Sequence, residues 1–203
     1  MIKNIVFDLG NVLAKFDPYE IYFSYTNNKQ EALDLYNFMY ETNLWEDLDK
    51  GVEPINVITK IQGISPSKYH FAIEQIITTW IKALNFDPKM KDLVFQLKKN
   101  NFKVYMLSNI SKQFYDFKKV NPIFNEFDGL YISADSQLIK PHAEVYIDFL
   151  ETFDLTATES LFIDDKEINI LGAKNLGFNV YHYQSDFDEF ISYLNELISF
   201  EIK

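Results

Sequence analysis

The chain contains no cysteine and no arginine in 203 residues. Without cysteine there is neither a disulfide nor a thiol nucleophile. Without arginine there is no planar, bidentate guanidinium. An anion must therefore be held by lysine, backbone N–H groups, hydroxyls, amides or a metal. Basic residues are outnumbered: nineteen, all lysine, stand against thirty Asp and Glu, for a net charge of -11. A chain this acidic is repelled by phosphate backbones and anionic membrane surfaces, and no basic stripe offsets the repulsion. Neither nucleic acid nor a membrane is expected as a partner. No window approaches the roughly 18 apolar residues of a membrane span. The first apolar run, Ile5-Val6-Phe7, is cut at once by Asp8, too early for a signal peptide. The expected location is the cytoplasm. Hydrophobic residues make up 47% and charged residues 24%, proportions that exclude a disordered or fibrous chain and supply a real core.

Two regimes alternate along the chain. Short apolar runs rich in Val, Ile, Tyr and Phe occur at Lys3–Phe7, Lys103–Leu107, Gly129–Ile132, Ser160–Ile163 and Asn179–Tyr183. Such runs read as strands buried on both faces. Between them lie helical periods at about 87–100, 111–119, 142–153, 167–176 and 186–200, which implies βαβ units and a parallel sheet. Asp87-Pro88 is a cap followed by a first-turn proline. Residues 15–85 differ. Helical periods dominate at Tyr19–Tyr25, Gln30–Thr42, Pro54–Ile61 and Ser65–Leu84, and no strand is evident. The reading is a doubly wound, Rossmann-like α/β core of residues 1–14 and 86–203, with a helical domain of residues 15–85 inserted after the first strand.

In open α/β sheets, ligands bind at the carboxyl ends of the strands. Asp8-Leu9-Gly10-Asn11-Val12 follows the first strand, Ser108-Asn109 the second and Asp164-Asp165 the fourth, while Lys140-Pro141 precedes a helix. Singly, each has a structural explanation as a cap, a turn or a solvated lysine. All four, in chain order on one sheet edge, call for a chemical one. Three carboxylates at one point repel one another, and desolvation adds to the cost. A hard divalent cation removes the difficulty: Mg²⁺ takes oxygen ligands and is commonly held by one or two carboxylates plus a substrate phosphate. A lysine then balances the phosphate.

The order hhhDxGNV, LSN, KP and DD, with a helical insert after the first, resembles the haloacid dehalogenase superfamily of aspartate-nucleophile phosphohydrolases. The resemblance spans the whole chain. The FDLGNV opening is most similar to the bacterial branch with sugar-1-phosphate phosphatases, and to the phosphatase domain of epoxide hydrolases. It implies a Mg²⁺-dependent phosphatase of a small phosphorylated metabolite, with a sugar phosphate expected and residues 15–85 as the cap. It implies Asp8 as the nucleophile that forms an aspartyl-phosphate. Ser108, with Asn109 beside it, would bind the phosphoryl group, and Lys140 would steady both nucleophile and phosphate. The metal would be held by Asp8, the Gly10 carbonyl, Asp165 and, through water, Asp164. The alternatives are a phosphate-ligand binding or regulatory protein with vestigial activity, and a phosphotransferase or mutase. A true dehalogenase is disfavoured, because that chemistry relies on arginine. The oligomeric state is not readable.

One position departs from the family pattern. Most of its phosphatases carry a second aspartate two residues after the nucleophile, as general acid and base; here that position is Gly10. Such help is typically worth about 10²–10⁴-fold. Glu46, Asp47 and Asp49, in the stretch Leu44–Gly51, are candidate replacements. Gly10→Asp is expected to clash more often than help, on the premise that glycine holds angles aspartate cannot. Trp45 reads either as a sugar-stacking face or as packing between helices, and Trp80 as core.

Overall fold

A computed structural model describes residues 1–26 and 28–198. The chain runs β1 (Asn4–Phe7), β2 (Ala14–Lys15), α1 (Pro18–Thr26), α2 (Lys29–Glu41), α3 (Leu44–Asp49), α4 (Pro54–Ile64), α5 (His70–Thr79) and β3 (Asn85–Phe86). It continues through α6 (Pro88–Lys99), β4 (Lys103–Ser108), α7 (Phe114–Val120), β5 (Gly129–Ile132), α8 (Ser133–Ser136) and α9 (Ala143–Phe153). It closes with β6 (Ser160–Asp164), α10 (Glu167–Asn175), β7 (Asn179–His182) and α11 (Phe187–Ile198). The last two residues of the helix expected over 186–200 lie outside the described residues.

Five strands form one parallel sheet in the order β5-β4-β1-β6-β7. Alternate side chains enter different cores. Ile5, Phe7, Val104, Met106, Leu161 and Ile163 join the larger cluster, whereas Val6, Tyr105, Leu107 and Phe162 join a second. α6 and α11 supply Leu93, Leu97, Phe190 and Leu194 to the first; α9 and α10 supply Tyr146, Phe149, Ile170 and Ala173 to the second. Helices thus cover both faces, which is why these strands read as continuous apolar runs. The chain goes from β1 out to β4 and β5, then returns past β1 to β6 and β7. The direction reverses beside β1, the place where ligands gather in such sheets.

The helices α1–α5 leave and rejoin the sheet through a two-stranded antiparallel ribbon, in which Ala14 pairs with Phe86 and Lys15 with Asn85. No strand is expected there from sequence; two residues per strand leave no periodicity to read. The helix expected over 65–84 is also broken. A 3-10 turn at Ser67–Tyr69 precedes α5, and another at Trp80–Ala83 follows it. The second turn swings the Trp80 indole against Phe16 and Trp45 (ring centroids 5.5 and 5.4 Å) and puts its N–H on Gln113 Oε1 at 2.7 Å. Gln113 also donates to the carbonyls of Ile77 and Thr78, so the helix expected from 111 begins only at Phe114. Among the described residues no helix is long and apolar enough to cross a membrane.

Candidate active site

Three strand ends and one loop converge. Asp8 follows β1, its backbone N–H on Ile163 O at 2.9 Å. Ser108 ends β4, Asp164 ends β6 and Asp165 comes next. Lys140 enters from the loop between α8 and α9 and spends its ammonium group completely. It donates to Asp8 Oδ1 at 2.8 Å, Asp164 Oδ2 at 2.7 Å and the Leu107 carbonyl at 2.9 Å. The side chains of Lys140, Asp8 and Asp164 are 1%, 11% and 0% exposed. A buried charge this well bonded is held in one geometry.

A second ring of polar groups fixes the first. Asn169, from α10, donates its amide to both oxygens of Asp164 at 3.0 Å, and the Lys166 N–H adds a contact at 2.8 Å. Asn11 donates to Asp165 Oδ2 at 3.2 Å and accepts from the Phe16 N–H at 3.1 Å. It sits in the left-handed region, at φ 55°. His182 Nε2 bonds the Asp165 carbonyl at 3.0 Å. Asn109 uses its amide oxygen and nitrogen on the backbone N–H and carbonyl of Lys140, at 2.9 Å each. Its side chain, expected at the phosphate, therefore braces the lysine loop. The Ser108 hydroxyl has no hydrogen-bond partner among the described residues and lines a cavity.

The cluster carries surplus negative charge. Burial, opposed by Lys140 and reinforced by Asp164 and Asp165, lifts the Asp8 carboxyl from 3.8 to about 6. Burial pulls Lys140 down, but Asp164 and Asp8 outweigh it and hold the ammonium above its ordinary value. Oxygens of Asp8, Asp164 and Asp165 all lie within 4.8 Å of one another. This all-oxygen donor set, crowded and short of positive charge, fits a hard divalent cation. Asp164 is already saturated by Lys140, Asn169 and Lys166, whereas Asp165 and Asp8 Oδ2 keep acceptor capacity.

A cavity of about 150 Å³ opens above these groups. Asp8, Gly10, Ser108, Asn109, Lys140 and Asp165, from the core, form its floor; Phe16, Tyr40, Trp45, Asp49 and Trp80, all within residues 15–85, form a wall. Of the three candidate acids on α3, only Asp49 is on that wall. Glu46 is paired with Lys50 at 2.5 Å and Asp47 with Lys60 at 2.8 Å. Trp80 is core and wall at once, 5% exposed. The expected clash at Gly10 is corrected. A Cβ built there meets nothing within 4 Å, and the left-handed residue in this turn is Asn11. Sequence reasoning missed Asn11 and Asn169. The signal for Asn169 was its position in the first turn of the helix after Asp164-Asp165.

The family model of haloacid dehalogenase-like hydrolases matches residues 2–177. The sesquiterpene phosphatase astK of Aspergillus oryzae is 28% identical over 180 residues, which is 86% of this chain and 86% of that protein. A D-ribitol-5-phosphate phosphatase of Bacteroides thetaiotaomicron is 26% identical over 200 residues, 93% of this chain and 95% of that protein. In fold the chain is similar to a HAD family enzyme from Bacteroides thetaiotaomicron crystallised with magnesium and inorganic phosphate. That match has a TM-score of 0.71 and 23% identity, and covers 94% of this chain and 99% of the other.

Proposed function

The chain belongs to the haloacid dehalogenase-like hydrolase family, and from that premise we propose that it is a Mg²⁺-dependent phosphatase of a small phosphorylated metabolite, a sugar or polyol phosphate foremost. One observation carries this reading. A buried lysine is shared between Asp8 and Asp164, beside a free serine hydroxyl and a further carboxylate, at the floor of one cavity. Two relatives named as phosphatases support it, one of them acting on ribitol 5-phosphate.

In this reading Asp8 is the nucleophile. Lys140 holds Oδ1 and leaves Oδ2 to attack phosphorus. The attack forms an aspartyl-phosphate that water then hydrolyses. Ser108 Oγ donates to a phosphoryl oxygen, while Lys140, its three protons committed to Asp8, Asp164 and the Leu107 carbonyl, balances the phosphoryl charge, and Asn109 keeps Lys140 in place. Asp8, Asp165 and the Gly10 carbonyl would hold Mg²⁺; Asp164, its oxygens taken by Lys140, Asn169 and Lys166, orients Lys140 beside them. When bound, the ion neutralises charge on the phosphoryl group and aligns it for in-line transfer. We take residues 15–85 as the cap and residues 1–14 and 86–203 as the core, because the ribbon at Ala14–Lys15 and Asn85–Phe86 gathers both crossings into one place. The aromatic wall then selects the leaving group, since sugar and polyol C–H faces pack on aromatic rings.

The test is inorganic phosphate release from a panel of sugar, polyol and aryl phosphates, with Mg²⁺ and with excess chelator. Release that requires both Mg²⁺ and Asp8 supports the reading. No release from any substrate, or full release in chelator, overturns it. A phosphorylated product without free phosphate would make the protein a phosphotransferase.

A further inference from the structure

We propose that Asp49, at the end of α3, performs the proton transfers for which Gly10 offers no side chain. This deepens the phosphatase reading and rests on it. Asp49 lines the same cavity as Asp8, Ser108, Lys140 and Asp165, but enters it from the inserted helices rather than from the sheet edge. In an in-line displacement the leaving oxygen departs on the side away from Asp8, and we place Asp49 on that side. Its carboxyl group has no hydrogen-bond partner among the described residues, whereas Glu46 and Asp47 are tied to lysines and lie off the cavity.

The core fixes where that carboxyl stands. Ser133 Oγ donates to the Asp49 carbonyl at 2.6 Å and accepts from the Ile110 N–H at 2.9 Å, two residues past Ser108. Gly51, at φ 81°, presses its backbone on α8. A Cβ there would sit 2.4 Å from the Ala134 carbonyl oxygen. The end of α3 is thus clamped to the segment that follows β4. Charged groups around it are Lys166, Asp8, Lys140 and Glu46. Burial, first among the causes, raises the carboxyl from 3.8 to about 7, so at neutral pH the group can both give and take a proton.

The steps balance. Asp8 attacks phosphorus, the bond from phosphorus to the leaving oxygen breaks, and the Asp49 proton passes to that oxygen, releasing an alcohol. Asp49, now a carboxylate, takes a proton from a water whose oxygen attacks the aspartyl-phosphate. The bond from phosphorus to Asp8 breaks, phosphate leaves, and both carboxyl groups return to their starting states.

The test compares wild type, Asp49→Asn and Asp49→Asn/Gly10→Asp on an alkyl phosphate and on 4-nitrophenyl phosphate. Asp49→Asn, nearly isosteric, should turn over the alkyl phosphate about 10²–10⁴-fold more slowly. With the aryl ester it should release one equivalent of nitrophenol in a burst, because that leaving group needs no proton, and then stall. Phosphorylated Asp8 should accumulate and be seen by mass spectrometry. The double variant should recover part of the alkyl-phosphate rate, because Gly10 has open space for the carboxyl. The inference is overturned by wild-type rates on both substrates, or by an equal loss on both with no phosphoenzyme. In either case an Mg²⁺- and Asp8-dependent wild type leaves the phosphatase reading standing. A wild type that releases no phosphate from any substrate overturns that reading and this inference together.

Discussion

Asn109 and Lys140 grip each other twice: the amide nitrogen donates to the Lys140 carbonyl and the Lys140 N–H donates to the amide oxygen, both at 2.9 Å. The pair spans 31 residues and ties the end of β4 to the loop before α9. The lysine side chain is aimed by its own backbone, and the backbone by one amide.

Asn109→Ala leaves both backbone groups without their partner. We expect a loss of about 1–3 kcal/mol in stability and a kcat lower by roughly ten- to a hundredfold, as for other supports of a charged site. Asn109→Asp keeps the acceptor but removes the donor and should fall between. Denaturant titration and initial rates decide it; an Ala variant equal to wild type in both would refute the bracing role.

Lys140→Met strands two buried carboxylates. Removing one partner of a buried ion pair typically costs about 3–5 kcal/mol. Adding Asp164→Asn removes one of the stranded charges and should return part of that loss, although the double variant stays inactive. A double-mutant cycle on unfolding free energies measures the coupling. Additive effects would mean that the two residues do not share charge.

Mg²⁺ affinity should depend on Asn11 through Asp165. With the Asn11 amide gone in Asn11→Ala, Asp165 loses its orienting contact at 3.2 Å. The Mg²⁺ concentration for half-maximal activity should rise about 10–100-fold, with little change in rate at saturating metal. Asp165→Asn should abolish metal-dependent activity while the protein stays folded. An unchanged metal titration in Asn11→Ala would refute the orienting role of Asn11, and one in Asp165→Asn would remove Asp165 from the ligand set.

Two glycines should respond oppositely to alanine. Gly10→Ala meets open space and should gain about 0.4–1 kcal/mol by restricting the unfolded chain. Gly51→Ala combines a left-handed backbone with a near collision on the Ala134 carbonyl, so it should lose more than about 1 kcal/mol. Thermal melts of the pair are sufficient, and equal melting temperatures would contradict the geometry.

The raised Asp49 carboxyl also sets a pH trend in the metal-free protein. Its folded-state value lies above its unfolded one, so its contribution to stability is fully present below about pH 4 and is lost as pH rises through 7. Asp49→Asn abolishes that loss. The variant should therefore gain on wild type steadily between pH 4 and 8, measured as the difference in unfolding free energy. A difference that does not vary with pH would mean the carboxyl titrates normally.

Much of this was readable before any coordinates. Asp8, Ser108 and Asp164-Asp165 stand at or just beyond the ends of strands whose apolar runs are buried on both faces, so their convergence follows from the parallel sheet alone, whereas Lys140 reaches them from the loop before α9. What was not readable depends on tertiary partners. Three acids on α3 look alike in sequence. Lys50, just past α3, and Lys60 of α4 claim two of them, and only the side of the helix toward the cavity singles out Asp49. Asn109 could not be told from a phosphate ligand, because its partner lies 31 residues away. The break before Trp80 carries no proline or glycine to announce it; the indole's contacts with Phe16, Trp45 and Gln113 impose it.

Because Trp80 fills the core while lining the cavity, the packing and the shape of the cavity rest on the same ring. Anyone wishing to retarget the enzyme should leave that indole alone, since each gain there would be offset by loosened packing around Phe16 and Gln113. Tyr40, 55% exposed, and the half-buried Trp45 face the same cavity with less of the core leaning on them. They are the positions from which new specificities can be bred without first having to rescue the scaffold.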